Sequence, residues 1–222
     1  MENYRDGTPV QQELSMNDME IIDSFEKHIS EFTGATYGIA VDSGTNAIFL
    51  SLLYLKHTKE IKPNDVITIP KKTYISVPMS ICNAGFKVKF EENYWIGDYR
   101  LEPTRIIDSA VKFKKNMYTK NSLTCISFQY RKSIPIGRGG MVLTDDKKAM
   151  EWLKQARHHG KHMGVNKFDD IYEMCGWDMY MTPELATRGM TLFNILENRK
   201  TPIGTYVDYP DVSKQMKNGW NE

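Results

Sequence analysis

The chain has 222 residues, 41% of them hydrophobic and 11% aromatic, enough to bury a core in one large domain or two small ones. Its 29 basic and 28 acidic residues leave a formal charge of +1, which gives no electrostatic case for nucleic acid or an anionic membrane. The three cysteines lack metal or redox spacing, Met1 to Pro9 holds no signal-peptide core, and no apolar stretch is long enough to span a bilayer, so a soluble cytoplasmic protein is expected.

Residues 1–16 read as an irregular polar arm. Asn17 reads as an N-cap, and Met19, Ile22, Phe25, Ile29 and Phe32 follow at helical spacing until Gly34 stops the helix. Tyr37 to Val41 reads as a strand, Ser43-Gly44-Thr45 as a tight turn, and Asn46 to Lys56 as an apolar helix. A strand at Val66 to Ile69, a helix from Thr73 to Asn83 and a strand at Lys87 to Phe90 follow. Arg105 to Asp108, Leu123 to Phe128 and Gly140 to Thr144 are further strands. Asp145 or Asp146 caps a helix carrying Trp152, Leu153 and Ala156, and Glu184 to Asn198 is the last helix. The tail from Thr201 is polar and turn-rich, without a core signal. Strands alternating with helices predict one α/β domain over residues 1–222, with a core at about 17–200, a tail at 201–222 and a largely parallel sheet.

Four places carry candidate chemistry. Ser43-Gly44-Thr45 lies between a strand and a helix, where the helix N-terminus suits a phosphate and Gly44 lets the backbone approach it; an ordinary capped turn has the same form. Tyr74 follows the next strand, either stacking on a flat cofactor ring or packing on the sheet. Asp108 ends a strand of isoleucines, where a buried carboxylate needs a cation such as a pyridinium N–H, unless it is a helix cap or salt bridge. Lys132 sits in a loop between a buried strand and a glycine cluster, five residues after Ser127; it is either a Schiff-base lysine or a solvated one. Together and in this order, phosphate turn, aromatic, strand-end aspartate, serine and lysine match what pyridoxal 5'-phosphate (PLP) requires. His158 and His162 are four apart, but no carboxylate or cysteine completes a metal set, and Gly137 to Gly140 lacks the spacing of a nucleotide loop.

On these residues the chain resembles the DegT/DnrJ/EryC1/StrS family of sugar aminotransferases. The likeness runs from Phe25-Glu26 and Thr33-Gly34-Ala35 through Ser43-Gly44-Thr45, Pro63 to Ile67 and Thr73-Tyr74. It continues at Asp108-Ser109-Ala110, at Ser127 to Lys132 with the following Gly137 to Val142, and at His159-Gly160 and Gly176 to Gly189. The resemblance implies a type I PLP-dependent transferase (aspartate aminotransferase-like) large domain with a reduced central sheet and a C-terminal small domain largely absent. It implies PLP held by a Schiff base to Lys132, with Asp108 on the pyridine nitrogen and Tyr74 stacked on the ring. Gly44, Thr45 and Ser127 would hold the phosphate. Glutamate would be the donor and a keto sugar, commonly nucleotide-linked, the acceptor, in a homodimer with shared active sites. The PLP-dependent sugar dehydratases of the family carry His in place of the lysine, and a non-catalytic PLP- or sugar-binding module is the remaining alternative.

The chain departs from the family pattern in identifiable ways. The resemblance implies a further strand and helix between Phe90 and Asp108, where Glu91 to Ile107 is too short for both. A sheet short of a strand and a pocket short of a wall are therefore expected. Val111 stands where the family has Gln or His, Asp178 where it has Asn, Arg138 where it has Glu, and Tyr180 where Arg is common.

Overall fold

The computed structural model describes residues 9–196 and 202–216, with 9–18 described by backbone alone. In chain order the elements are α1 (Pro9–Thr33), β1 (Tyr37–Val41), α2 (Gly44–His57), β2 (Val66–Pro70), α3 (Ser76–Asn83) and β3 (Lys87–Glu91). Then come β4 (Tyr99–Arg100), β5 (Ile106–Asp108), β6 (Leu123–Ser127), β7 (Gly140–Thr144), α4 (Lys147–Ala156) and α5 (Pro183–Leu196). Two short 3-10 turns, Tyr206–Asp208 and Val212–Lys214, follow.

Helix α1 is already formed at Pro9, ahead of the expected Asn17 cap. Proline is at home in a first helical turn, and the Gln-Gln-Glu-Leu run after Val10 consists of good helix formers. Residues 1–8 of the expected arm, the expected helix end at Asn198 and the tail at 217–222 lie outside the described residues. Helix α3 starts at Ser76, leaving Thr73 and Tyr74 in the loop before it.

The sheet is mixed, which corrects the largely parallel expectation. Its strand order is β1-β7-β6-β5-β4; only β5 and β6 run parallel there, and β2 and β3 form a separate parallel pair. The link from β6 to β7 contains no helix, and a strand that returns without a crossover pairs antiparallel. The expected missing strand has a substitute. Segment 99–102 lies between β5 and β2: Tyr99 and Arg100 pair antiparallel with β5, and the backbones of Thr68 and Glu102 exchange hydrogen bonds of 2.7 and 3.0 Å.

Alternation along the strands divides the core into two faces. Ile39, Val41, Leu123, Cys125 and Val142 face α2 and α4, whereas Ala40, Ile126, Met141 and Leu143 face α1 and α5. The stripe Ile22, Phe25 and Ile29 of α1 is fully buried on the second face. Arg157, after α4, is buried beside Glu26 of α1 and bonds it as well as the Ala40 carbonyl, tying helix, strand and helix together. Among the described residues no helix is long and apolar enough to cross a membrane.

Candidate active site

One pocket of about 550 Å³ opens at the ends of β5 and β6 and the start of α2. Gly44, Thr45, Tyr74, Asp108, Ser127 and Lys132 all line it. The structure therefore brings together every candidate residue, from four separate stretches of chain.

At the start of α2, Ser43 is the N-cap and its hydroxyl accepts from the Asn46 N–H at 3.1 Å. The helix is 14 residues long, so its N-terminus carries a full positive dipole end. Thr45 donates its hydroxyl to Ser76 Oγ at 3.0 Å. Gly44 packs directly on Ser127: a Cβ at position 44 would stand 2.8 Å from the Ser127 Cβ and 3.2 Å from its Oγ. A glycine is required there, and it leaves main chain and hydroxyl facing one cradle, the form an anion site takes.

Asp108 is 7% exposed, at the end of β5. Its Oδ1 accepts from the Ala110 N–H at 3.0 Å and its Oδ2 from the Tyr99 hydroxyl at 2.8 Å. Burial pushes its carboxyl above the usual range, while those two donors and the Lys132 charge pull it back. Lys132 lies in the loop after β6, whose ends are closed by Phe128 N–H to Gly139 O at 2.9 Å and Gly137 N–H to Phe128 O at 3.2 Å. Burial lowers its ammonium below the usual lysine value, and Asp108 partly restores it. A cation and an anion thus face one pocket, each desolvated. Tyr74 is 58% exposed at the mouth, edge-on to Tyr209 at 6.5 Å between ring centroids.

The expected missing wall is present, built from residues with no motif or periodic pattern around them. Trp95 is buried, donates its indole N–H to Lys72 O at 2.8 Å, and its ring lies tilted against those of Tyr99 and Tyr209, at 5.1 and 5.6 Å between centroids. Tyr209 also lines the pocket, and burial with the nearby Asp108 charge pushes its hydroxyl up to about 12. The tail thus has a core signal after all: Val212 is fully buried, and its N–H bonds Lys71 O at 2.9 Å. The signals were aromatics, Tyr94, Trp95 and Tyr99 within one short segment and Tyr206 and Tyr209 in a polar tail.

Of the departing positions, Val111 lines the pocket and packs against Gly204. Arg138 also lines it and bonds Asp42 Oδ2 at 2.7 Å. Asp178 lies outside it, exposed, with His159 at 3.5 Å, and Tyr180 packs on His158. His162 is bonded to Asp170 at 2.7 Å.

The model of the DegT/DnrJ/EryC1/StrS aminotransferase family matches residues 10–106 and 109–201. The spore coat polysaccharide biosynthesis protein SpsC of Bacillus subtilis is 25% identical over 181 residues, covering 63% of this chain and 46% of SpsC. This chain thus spans just under half the length of that relative. The sugar aminotransferase CalS13 from Micromonospora echinospora superposes with a TM-score of 0.68 at 13% identity, over 88% of this chain and 67% of CalS13. A GDP-4-keto-6-deoxymannose-3-dehydratase, solved with a trapped PLP-glutamate geminal diamine, superposes with a TM-score of 0.66 at 16% identity, over 84% of this chain and 64% of its own. At such identities the structural likeness is one of fold.

Proposed function

The chain belongs to the DegT/DnrJ/EryC1/StrS aminotransferase family, and from that premise we propose that it is a PLP-dependent aminotransferase moving an amino group from glutamate to a nucleotide-linked keto sugar. Its fold is that of the type I PLP-dependent transferases, and PLP is its cofactor. When bound, PLP supplies an aldehyde carbon that takes up amines and a ring that draws electrons from the carbon attached to it.

The residues present fit that group. The side-chain-free gap at Gly44, the Ser127 and Thr45 hydroxyls and the N-terminus of α2 would hold the phosphate. Asp108, buried and kept as an acceptor, would hold the protonated ring nitrogen. Tyr74 at the mouth would cover one face of the ring. The lowered basicity of Lys132 leaves more of its Nζ neutral, the form that acts as nucleophile and as base. The observation that carries the reading is this convergence of Asp108 and Lys132 on one partly desolvated pocket beside an anion cradle. Lys132, where the dehydratases of the family carry His, favours amine transfer over deoxygenation.

The same reading includes a single domain, since both core faces share one sheet. It also includes a homodimer: Phe168 and Ile171 are 85% and 77% exposed, beside Tyr172, in one segment that a second copy would cover.

Incubation with glutamate and a panel of nucleotide-linked keto sugars tests the activity. Formation of 2-oxoglutarate with an amino sugar is expected. A deoxygenated sugar would mean a dehydratase, and no product despite bound PLP would mean a binding module.

A further inference from the structure

Segment 92–102, which replaces the strand and helix implied between Phe90 and Asp108, does more than fill the sheet. The antiparallel register sets Tyr99 directly opposite Asp108, on a pair whose side chains share a face. Tyr99 is 7% exposed and its hydroxyl has two partners, Asp108 Oδ2 at 2.8 Å and Thr73 Oγ1. Thr73 is 1% exposed, so this chain of groups is shielded from solvent.

An ionised carboxylate only accepts hydrogen bonds. Tyr99 must therefore donate to Asp108, and the Thr73 hydroxyl is left to donate to the Tyr99 oxygen. The chain Thr73 to Tyr99 to Asp108 has one direction. With the Ala110 N–H on Oδ1, both carboxylate oxygens are anchored. Burial pushes the Tyr99 hydroxyl well above its usual range, so it remains a donor at any working pH.

We propose that Tyr99 is a positioning residue for Asp108, fixing the carboxylate, with Thr73 behind it, in the orientation that meets the ring nitrogen of PLP. The inference rests on the PLP reading above. Its substance is that the replacement segment supplies a carboxylate clamp of this chain's own. The groups that face Asp108 are Tyr99 from β4, Cys125 from β6, Lys132 from the loop after β6, Tyr209 from the C-terminal segment, and Asp98. Among these, Tyr99 alone donates a side-chain hydrogen bond to it among the described residues.

Tyr99→Phe keeps the ring and its packing on Trp95 while removing the donor. Two titrations read the result: ¹³C NMR of the Asp108 carboxyl in PLP-free protein, and ¹⁵N NMR of the ring nitrogen in protein loaded with ¹⁵N-labelled PLP. A hydrogen bond to a charged group corresponds to roughly one pKa unit or more. The Asp108 titration should move up by roughly that amount, the ring nitrogen should lose its proton at a pH lower by a similar amount, and the PLP Kd should rise about tenfold. Thr73→Val, which leaves Tyr99 in place, should shift both titrations in the same directions by less, and it decides the matter if Tyr99→Phe does not fold. Unmoved titrations and Kd in variants that differ only in melting temperature would overturn the clamp. A wild-type protein that shows no bound PLP would overturn the cofactor reading, and the clamp's purpose with it.

Discussion

Gly44 and Ser127 touch so closely that one added methyl group at position 44 would lie 2.8 Å from the Ser127 Cβ. The contact joins the start of α2 to the end of β6, and it is what leaves helix N-terminus and serine hydroxyl facing the same space. Gly44→Ala forces the two apart. Overpacking of this kind costs about 1–3 kcal/mol, and PLP affinity should fall at least about tenfold as the cradle opens. Gly44→Ala combined with Ser127→Gly removes the clash but also a hydroxyl. The double variant should regain thermal stability yet not full affinity, as read by melting and by PLP titration.

The two buried charges of the pocket make stability depend on pH in opposite senses. The Lys132 ammonium titrates below the usual 10.5 in the folded protein because burial disfavours it. Between that lowered value and 10.5 the unfolded chain holds more protons than the folded one, so stability rises with pH through the window. Below the window the buried charge is a standing cost. Lys132→Met should raise the melting temperature of PLP-free protein at neutral pH and flatten the rise on the alkaline side. Asp108 acts in reverse: its carboxyl titrates above the usual 3.8, so stability falls as pH climbs from 3.8 through the raised value. Melting curves of the PLP-free protein across pH, with each residue replaced in turn, check both slopes.

The C-terminal segment holds the pocket wall through Val212. Val212 is fully buried, and its neighbour Asp211 bridges the backbone of Lys72, next to Thr73 and Tyr74. Val212→Ala should cost about 2 kcal/mol in urea unfolding. It should also weaken PLP binding, because Tyr209 loses its footing beside Tyr74 and Trp95. Ile195→Ala, a change at a position 59% exposed, should leave both measurements near wild type.

That Asp108, Ser127, Gly44 and Thr45 meet at one pocket was legible in the sequence because each sits at the end of a predicted strand or the start of a predicted helix, with Lys132 in the loop that follows such a strand, and in these folds strand ends converge. Strand positions were legible for the same reason, as short apolar runs bounded by turn residues. Tyr99 was not, because β4 is two residues long and its meaning comes from its partner β5, not from its own pattern. Tyr209 and Val212 were missed because a polar, turn-rich tail gives no periodic signal, and their burial depends on a contact with Lys71 far back in the chain. The early start of α1 was hidden by polar helix formers, which resemble an unstructured arm until a tertiary face is known. The mixed sheet was foreseeable: no helical pattern separates β6 from β7.

The proposed chemistry rests on Lys132 as the amine that engages PLP. The direct measurement is the visible absorption spectrum of PLP-loaded protein before and after borohydride, for wild type and Lys132→Ala, followed by peptide mapping. The wild type should show a band that borohydride bleaches, with the cofactor then fixed to the peptide containing Lys132, and Lys132→Ala should show neither effect. No band in the wild type, or the same bleaching in Lys132→Ala, would remove Lys132 from that role.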